Sequence, residues 1–162
     1  MNILAIIPAR MGSSRFPGKP LALIDGIPMI EIVYKNTVLC NLINHTYVAT
    51  CDVEIAQHIE SIKGKSVMTS GTHERATERT VEALLKIEKQ LEQTFDIVVM
   101  VQGDEPMVSS NLIKKSLEPF FVDSEVNVVN LMSKIDNPSE FEDKNEPKVV
   151  FNKNYDALYF SR

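Results

Sequence analysis

The sequence has little of several residue types on which common protein classes depend. It contains two cysteines, too few for a disulfide framework, so we interpret both as reduced thiols. Its 6 glycines and 8 prolines among 162 residues exclude a fibrous or linker-rich protein. No apolar run approaches the ~18 residues of a membrane span, and the first apolar run is too short for a signal peptide. We therefore expect one soluble cytoplasmic domain covering residues 1–162.

Acidic residues are absent from the first 24 positions, although the whole chain has a net charge of −5. That segment carries Arg10, Arg15 and Lys19, whereas the remaining residues carry 14 basic and 22 acidic side chains. An acidic protein is a poor ligand for nucleic acid, and we expect neither a nucleic-acid nor a membrane partner. A short basic segment in an acidic chain suggests a site for one small anion, but ordinary fluctuation also produces such a pattern.

Buried strands and amphipathic helices alternate along most of the chain. Helices are predicted from Pro28, after an Asp52 cap, after a Thr77 cap and from Ser109 or Ser110. The predicted strands cover residues 2–7, 46–50, 66–69, 96–101, 126–132, 149–151 and 157–160, and a charged loop covers residues 136–148. Such alternation predicts an α/β protein with a mostly parallel sheet and helices on both faces. Ligands of such sheets bind beyond the carboxyl ends of the strands.

Residues 8–20 (PARMGSSRFPGKP) follow the first strand directly. Glycines allow close backbone approach, and hydroxyl and basic groups there can bind phosphate oxygens. A phosphate-binding loop of the ATPase type is disfavoured, because five residues separate Gly12 from Gly18 and Pro20 follows Lys19. A surface loop with solvated basic side chains explains the segment about as well as an anion site does.

Residues 102–106 (QGDEP) follow another buried strand. Asp104 is placed to hold a hard cation such as Mg²⁺, and the Gln102 amide can bond a ligand. An acidic turn that only ends a strand is an equal alternative. If the two strands are neighbours, this segment and residues 8–20 lie on the same edge of the sheet.

Residues 73–79 (HERATER) span a loop and a predicted helix start. They offer donors to a nucleotide, although a solvated polar loop is the simpler interpretation. The three histidines lack metal-ligand spacing, which disfavours a zinc site. Neither a GxSxG motif nor a cysteine near a histidine base supports covalent catalysis.

Several segments in order resemble the 3-deoxy-manno-octulosonate (Kdo) cytidylyltransferases. They are IIPARMGSSRFPGKPL, GIPMI, VATCD, MTSGTHERATER, VQGDEPM, PKVVF and ALYFSR. The resemblance implies a Rossmann-like nucleotidyltransferase fold of the nucleotide-diphospho-sugar transferase type. It also implies transfer of CMP from CTP to Kdo, a lipopolysaccharide precursor, with release of pyrophosphate. A Mg²⁺ cofactor and a homodimer are implied as well.

The same resemblance assigns roles to individual residues. Arg10, Lys19 and Asp104 are the implied catalytic residues, and Asp104 is the metal ligand. Gln102 is expected near the sugar. The implied nucleotide-binding residues are Arg10, Ser13, Arg15, Lys19, Thr77 and Arg79.

Two departures from the family pattern bear on these expectations. Arg75-Ala76 stands where the family usually has Ser-Gly, so another acidic sugar is an alternative substrate. The family continues well beyond ALYFSR, so we expect the chain to be incomplete at its C-terminus relative to the family. A catalytically inactive nucleotide-binding module is the alternative from a different class.

Overall fold

The structure, a computed structural model, describes residues 1–12 and 16–162. The predicted phosphate-binding residues Ser13 and Arg15 lie outside these described residues. The chain forms two compact units, Met1–Glu118 and Pro119–Arg162. The prediction of one domain over residues 1–162 stays a prediction.

Strands and helices alternate through the first unit, as the sequence predicted. The elements in chain order are β1 (Ile3–Pro8), a 3₁₀ turn (Lys19–Leu21), β2 (Leu23–Ile24), β3 (Ile27–Pro28), α1 (Met29–Val38), β4 (His45–Thr50), α2 (Val53–Ser61), β5 (Ser66–Met68), α3 (Ala76–Leu91), β6 (Ile97–Met100) and α4 (Ser110–Val122). Four strands form a parallel sheet in the order β5-β4-β1-β6, and β2 pairs with β3 as a small hairpin.

Every residue of β1 is buried, because the strand lies between β4 and β6 in a sheet that helices cover. Leu4 and Ile6 belong to a core cluster that includes Ala83 and Ile87 of α3. Right-handed connections place α1 and α2 on one face of the sheet and α3 on the other, since the chain reverses its direction across the sheet after β5. The predicted α/β class with a parallel sheet is confirmed.

The side chain of Glu31, buried in α1, joins the helix layer on one face of this sheet. Its carboxylate lies 2.6 Å from Lys35 Nζ in the same helix and 2.8 Å from His58 Nε2 in α2. The hydrogen bond from Lys35, aided by His58, holds the pKa of Glu31 below its usual value against the opposing effect of burial. The contact with His58 ties α1 to α2.

The second unit contains α5 (Pro138–Glu142), β7 (Lys148–Phe151) and β8 (Ala157–Ser161), and the two strands form an antiparallel hairpin. The hairpin matches the two strands predicted there. The predicted loop at residues 136–148 contains α5, which begins where Asn137 and Pro138 supply a suitable N-terminus. Helix α5 has five residues.

The predicted strand at residues 126–132 is wrong. These residues are assigned to neither helix nor strand, and none of the described strands pairs with them. Their β-branched composition favours an extended chain, but a strand also needs a neighbour that satisfies its backbone groups.

An open cleft of about 950 Å³ lies within this second unit and is lined by none of the predicted site residues. Among the described helices, none has the length and apolar character to cross a membrane.

Candidate functional site

The segments after β1 and β6 meet at one edge of the sheet, because these two strands are neighbours. Gly103 packs directly on the end of β1. A Cβ atom at this position would lie 2.6 Å from the Pro8 carbonyl oxygen and 3.4 Å from Ala9 Cβ. Only glycine lets the turn after β6 approach β1 this closely. The close approach brings the neighbouring Asp104 to residues 8–20, which we call the basic loop.

Lys19 and Asp104 form an ion pair across this edge, with 2.9 Å between Nζ and Oδ2. The two side chains are 37% and 54% exposed, so a ligand can reach both of them. An ion pair this exposed contributes only about 0–1 kcal/mol to stability. The pair therefore costs little to exchange for contacts with a bound anion and cation.

The backbone of the basic loop is held at its base. Gly18 adopts the left-handed conformation with φ of +73° and donates its N–H to the Met11 carbonyl at 3.0 Å. The Met11 N–H in turn donates to Asp52 Oδ2 at 2.7 Å. We predicted Asp52 as the cap of α2, and it occupies that position, but its side chain makes no capping hydrogen bond. The carboxylate instead anchors the basic loop to the end of β4.

Arg10 lies exposed after β1 and faces the loop that precedes α3. Its Nη1 atom is 3.5 Å from the His73 carbonyl oxygen, a long hydrogen bond. A guanidinium has five N–H donors, so this contact leaves most of them for an anion. Arg10 thereby brings the loop after β5 next to the loop after β1.

The two predicted nucleotide-binding residues of α3 differ in their surroundings. The helix begins at Ala76, so Arg75 occupies the N-cap position and the predicted Thr77 cap is wrong. Glu78 explains the earlier start, because its carboxylate accepts the Glu74 and Arg75 N–H groups at 3.2 Å. Thr77 is exposed in the first turn, where a ligand can reach it.

Arg79 is buried, with 3% of its surface exposed, and its Nη1 donates to the Thr69 hydroxyl. Its Nη2 is the one fully buried side-chain nitrogen or oxygen without a hydrogen-bond partner among the described residues. A buried guanidinium nitrogen without a partner is costly, so it is a candidate donor to a ligand atom.

Gln102, the residue predicted near the sugar, is exposed in the turn after β6, next to the tightly packed Gly103.

Glu82 on α3 is a residue that the sequence analysis missed. Its carboxylate lies 2.7 Å from Lys86 Nζ, accepts the Ser70 N–H at 2.9 Å and lies 2.5 Å from His73 Nε2. These contacts, with Lys86 the strongest, lower the pKa of Glu82 to about 2. The spacing of Arg79, Glu82 and Lys86, three and four residues apart, was the available signal of a polar stripe on one face of α3.

At the carboxyl edge of β1 and β6, Asp104 is the carboxylate that could hold a metal ion together with substrate phosphates. The described residues contain no cluster of three or more His, Cys, Asp or Glu side chains that could hold a metal. Mg²⁺ is commonly held by one or two carboxylates together with substrate phosphates and water. The Asp104 carboxylate, already paired with the Lys19 ammonium, fits that requirement as a single protein ligand.

Comparison with known proteins identifies the family and supports the fold. A family model described as cytidylyltransferase matches residues 4–162. The chain belongs to the cytidylyltransferase family. A solved structure of CMP:2-keto-3-deoxy-manno-octonic acid synthetase complexed with CTP matches 99% of the chain with a TM-score of 0.86 at 34% identity. The predicted resemblance and the Rossmann-like nucleotidyltransferase fold are therefore confirmed.

Curated relatives carry two substrate names. The 3-deoxy-manno-octulosonate cytidylyltransferase of Geobacter metallireducens is 41% identical over the whole chain. The 8-amino-3,8-dideoxy-manno-octulosonate cytidylyltransferase of Shewanella putrefaciens is also 41% identical over the whole chain. The chain spans 61% and 65% of the lengths of these two relatives, and 64% of the solved structure.

Proposed function

We propose that this chain carries the nucleotide-binding part of a cytidylyltransferase that transfers CMP from CTP to an acidic sugar, most favourably Kdo, and releases pyrophosphate. The observation that carries the proposal is the pairing of Lys19 with Asp104 at the carboxyl edge of β1 and β6. The likeness to a structure complexed with CTP supports it. The Kdo name of the Geobacter metallireducens relative supports the choice of sugar.

In this proposal the basic side chains bind the triphosphate of CTP. Lys19 supplies a compact charge and Arg10 a planar fork, and a ligand can reach the partly exposed Lys19 and the exposed Arg10 where the strands end. Ser13 and Arg15 stay predicted phosphate-binding residues on the ground of the family resemblance alone. Arg79 and Thr77 would contact the nucleotide from the start of α3, with the unpartnered Arg79 Nη2 as the donor.

Catalysis of this reaction depends mainly on screening the phosphate charges and on aligning the sugar hydroxyl with the α-phosphorus. The anomeric hydroxyl oxygen of the sugar forms a bond to the α-phosphorus, the bond to the pyrophosphate oxygen breaks, and the hydroxyl proton passes to water. Mg²⁺, held by Asp104, would screen the anionic phosphates and stabilise the leaving pyrophosphate. Arg10 and Lys19 would add to that screening, while Gln102 would orient the sugar in line. No protein nucleophile is needed.

A second candidate substrate is 8-amino-3,8-dideoxy-manno-octulosonate, the sugar named for the Shewanella putrefaciens relative. The Kdo and 8-amino relatives named above are equally identical to this chain, so overall similarity does not separate the two sugars. In addition, Arg75 and Ala76 stand at the start of α3, where the family pattern has Ser-Gly. A homodimer and a cytoplasmic location remain predictions of the family resemblance.

The test is pyrophosphate release by this 162-residue chain with CTP, Mg²⁺ and a panel of sugars. The panel contains Kdo, 8-amino-3,8-dideoxy-manno-octulosonate and N-acetylneuraminate, and CTP binding is measured in parallel by calorimetry. Turnover highest with Kdo supports the proposal, and turnover highest with another sugar replaces only the substrate. CTP binding without turnover supports an inactive nucleotide-binding module. Absence of both binding and turnover contradicts the proposal.

A further inference from the structure

Glu82 binds both ends of a short turn after β5, which covers residues 70–73. Its Oε2 atom accepts the Ser70 N–H at 2.9 Å and lies 2.5 Å from His73 Nε2, while Oε1 lies 2.7 Å from Lys86 Nζ. Inside the turn, the Ser70 and Thr72 hydroxyl oxygens are 2.8 Å apart. One carboxylate on α3 therefore fixes the path of the whole turn.

The sheet and α3 hold the residue before this turn as well. The Thr69 N–H donates to the Thr50 carbonyl at 2.8 Å, and the Thr69 hydroxyl accepts a hydrogen bond from Arg79. Lys86, the partner of Glu82, also donates to the Met68 carbonyl at 2.8 Å. The turn thus has a rigid start, and Glu82 determines where its far end lies.

That far end reaches Arg10. The His73 carbonyl oxygen is 3.5 Å from Arg10 Nη1, and the His73 ring is the group that Glu82 holds. An arginine side chain has many rotamers, and a fixed acceptor reduces the number it samples before a ligand arrives. The remaining guanidinium donors stay free to bind an anion.

We propose that Glu82 is a positioning residue for nucleotide binding, which acts by fixing the turn at residues 70–73 so that the His73 carbonyl orients the Arg10 guanidinium. The inference rests on the proposed function, because it assigns Arg10 to the CTP phosphates. Glu82 needs no contact with the substrate. The inference predicts that its effect on affinity passes through Arg10.

A double-mutant cycle tests this dependence. CTP affinity with Mg²⁺ is measured by calorimetry for the unaltered chain, Glu82→Gln, Arg10→Ala and the double variant. We expect Glu82→Gln alone to weaken CTP binding about tenfold, because Arg10 loses its orientation. In the Arg10→Ala background the same change should alter the dissociation constant by less than about twofold. A purely structural role would instead give equal losses in both backgrounds.

Two further variants keep the test decisive. His73→Ala removes the ring that Glu82 contacts, while Glu82 keeps its contacts with Ser70 and Lys86. This variant should also weaken CTP binding, and it replaces Glu82→Gln in the test if that protein does not fold. Glu54→Gln, at an exposed glutamate in the first turn of α2, is the matched control and should leave CTP affinity unchanged. Unchanged affinity in the Glu82 and His73 variants overturns the inference alone. Failure of the unaltered chain to bind CTP overturns the proposed function itself.

Discussion

Two regions of the candidate site differ in how fully their polar groups are already bonded. At the β1–β6 edge, the exposed Lys19 and Asp104 have each other as a partner and Arg10 has a single long contact. At the β5–α3 edge, Glu82 has three partners, and the buried Arg79 bonds Thr69 through Nη1 while its Nη2 has no partner in the part of the chain that the structure describes. Groups of the first kind can exchange partners for a ligand at low cost, whereas groups of the second kind fix geometry. Substitutions at the first edge should therefore change binding and turnover with little effect on stability, whereas Glu82→Gln at the second edge should change stability as well as binding.

Asp104→Asn should give the largest effect. The amide keeps the size of the side chain but removes the charge that would hold Mg²⁺, so we expect turnover to fall by at least about 100-fold. Pyrophosphate release at several Mg²⁺ concentrations measures this loss. Glu105→Gln, an exposed carboxylate in the same turn, is the matched control and should stay near the activity of the unaltered chain. Near-normal activity of Asp104→Asn would remove the metal role from this residue.

Lys19→Ala should weaken CTP binding by about 10- to 100-fold, because a charge-assisted contact contributes about 1.5–3 kcal/mol. The free energy of unfolding should change by less than about 1 kcal/mol, since its ion pair with Asp104 is exposed. Calorimetry with CTP and urea denaturation measure the two quantities. Lys89→Ala, on the exposed side of α3, is the control. A large loss of stability with unchanged affinity would reverse the comparison between the two regions.

Gly103→Ala tests the close packing of Gly103 on the end of β1, which holds the β1–β6 edge together. The added Cβ would lie 2.6 Å from the Pro8 carbonyl oxygen, so the turn after β6 must move. We expect a destabilisation of about 1–3 kcal/mol, together with weaker CTP binding. Urea denaturation checks the first effect. Gly71→Ala serves as control, because nothing lies within 4 Å of its added Cβ. Equal stability of the two variants would contradict the close packing.

The contribution of Glu82, at the β5–α3 edge, to the free energy of unfolding should decrease at low pH. The pKa of Glu82 is lowered to about 2, so its contribution to stability is fully present above its unfolded pKa near 4.5 and is lost as the pH falls towards 2. Because the side chain is 26% exposed, we expect Glu82→Gln to cost only about 1–2 kcal/mol at pH 6 and less at pH 3. Urea denaturation of both proteins at the two pH values measures the difference. A cost that grows on acidification would refute the assigned contacts.

Sequence reasoning predicted the elements whose environment is local. The buried β1 strand and the helix after Pro28 follow from apolar runs and their order. The two loops were expected at one edge only if their strands were neighbours, and the pairing of β1 with β6 meets that condition. The strand at residues 126–132 was predicted from composition alone, and composition does not supply a pairing partner. Thr77 was predicted as a cap because hydroxyl residues favour that position, but the Glu78 carboxylate bonds the backbone one turn earlier.

The candidate site was predicted only in part, since its contacts join residues far apart in the chain. The motif at residues 102–106 identified Asp104, but the ion pair with Lys19 spans 85 residues and has no local signature. Asp52 was assigned to its own helix, whereas its carboxylate bonds Met11, 41 residues earlier. Glu82 looked like an ordinary helix residue. Such long-range partners are determined by strand order, which a single sequence does not encode locally.

The central position of β1 has a consequence for the order in which the protein assembles during synthesis. The strand leaves the ribosome before both of its neighbours in the sheet, and β6 is complete only at residue 100, with Asp104 after it. Pairing over such separations is slow, because a long loop must close before the contacts form. Lys19 therefore has no Asp104 partner until 85 further residues are made, which takes about 4–17 s. The Lys19–Asp104 pair therefore forms only after β6 is made, although Lys19 is translated long before it.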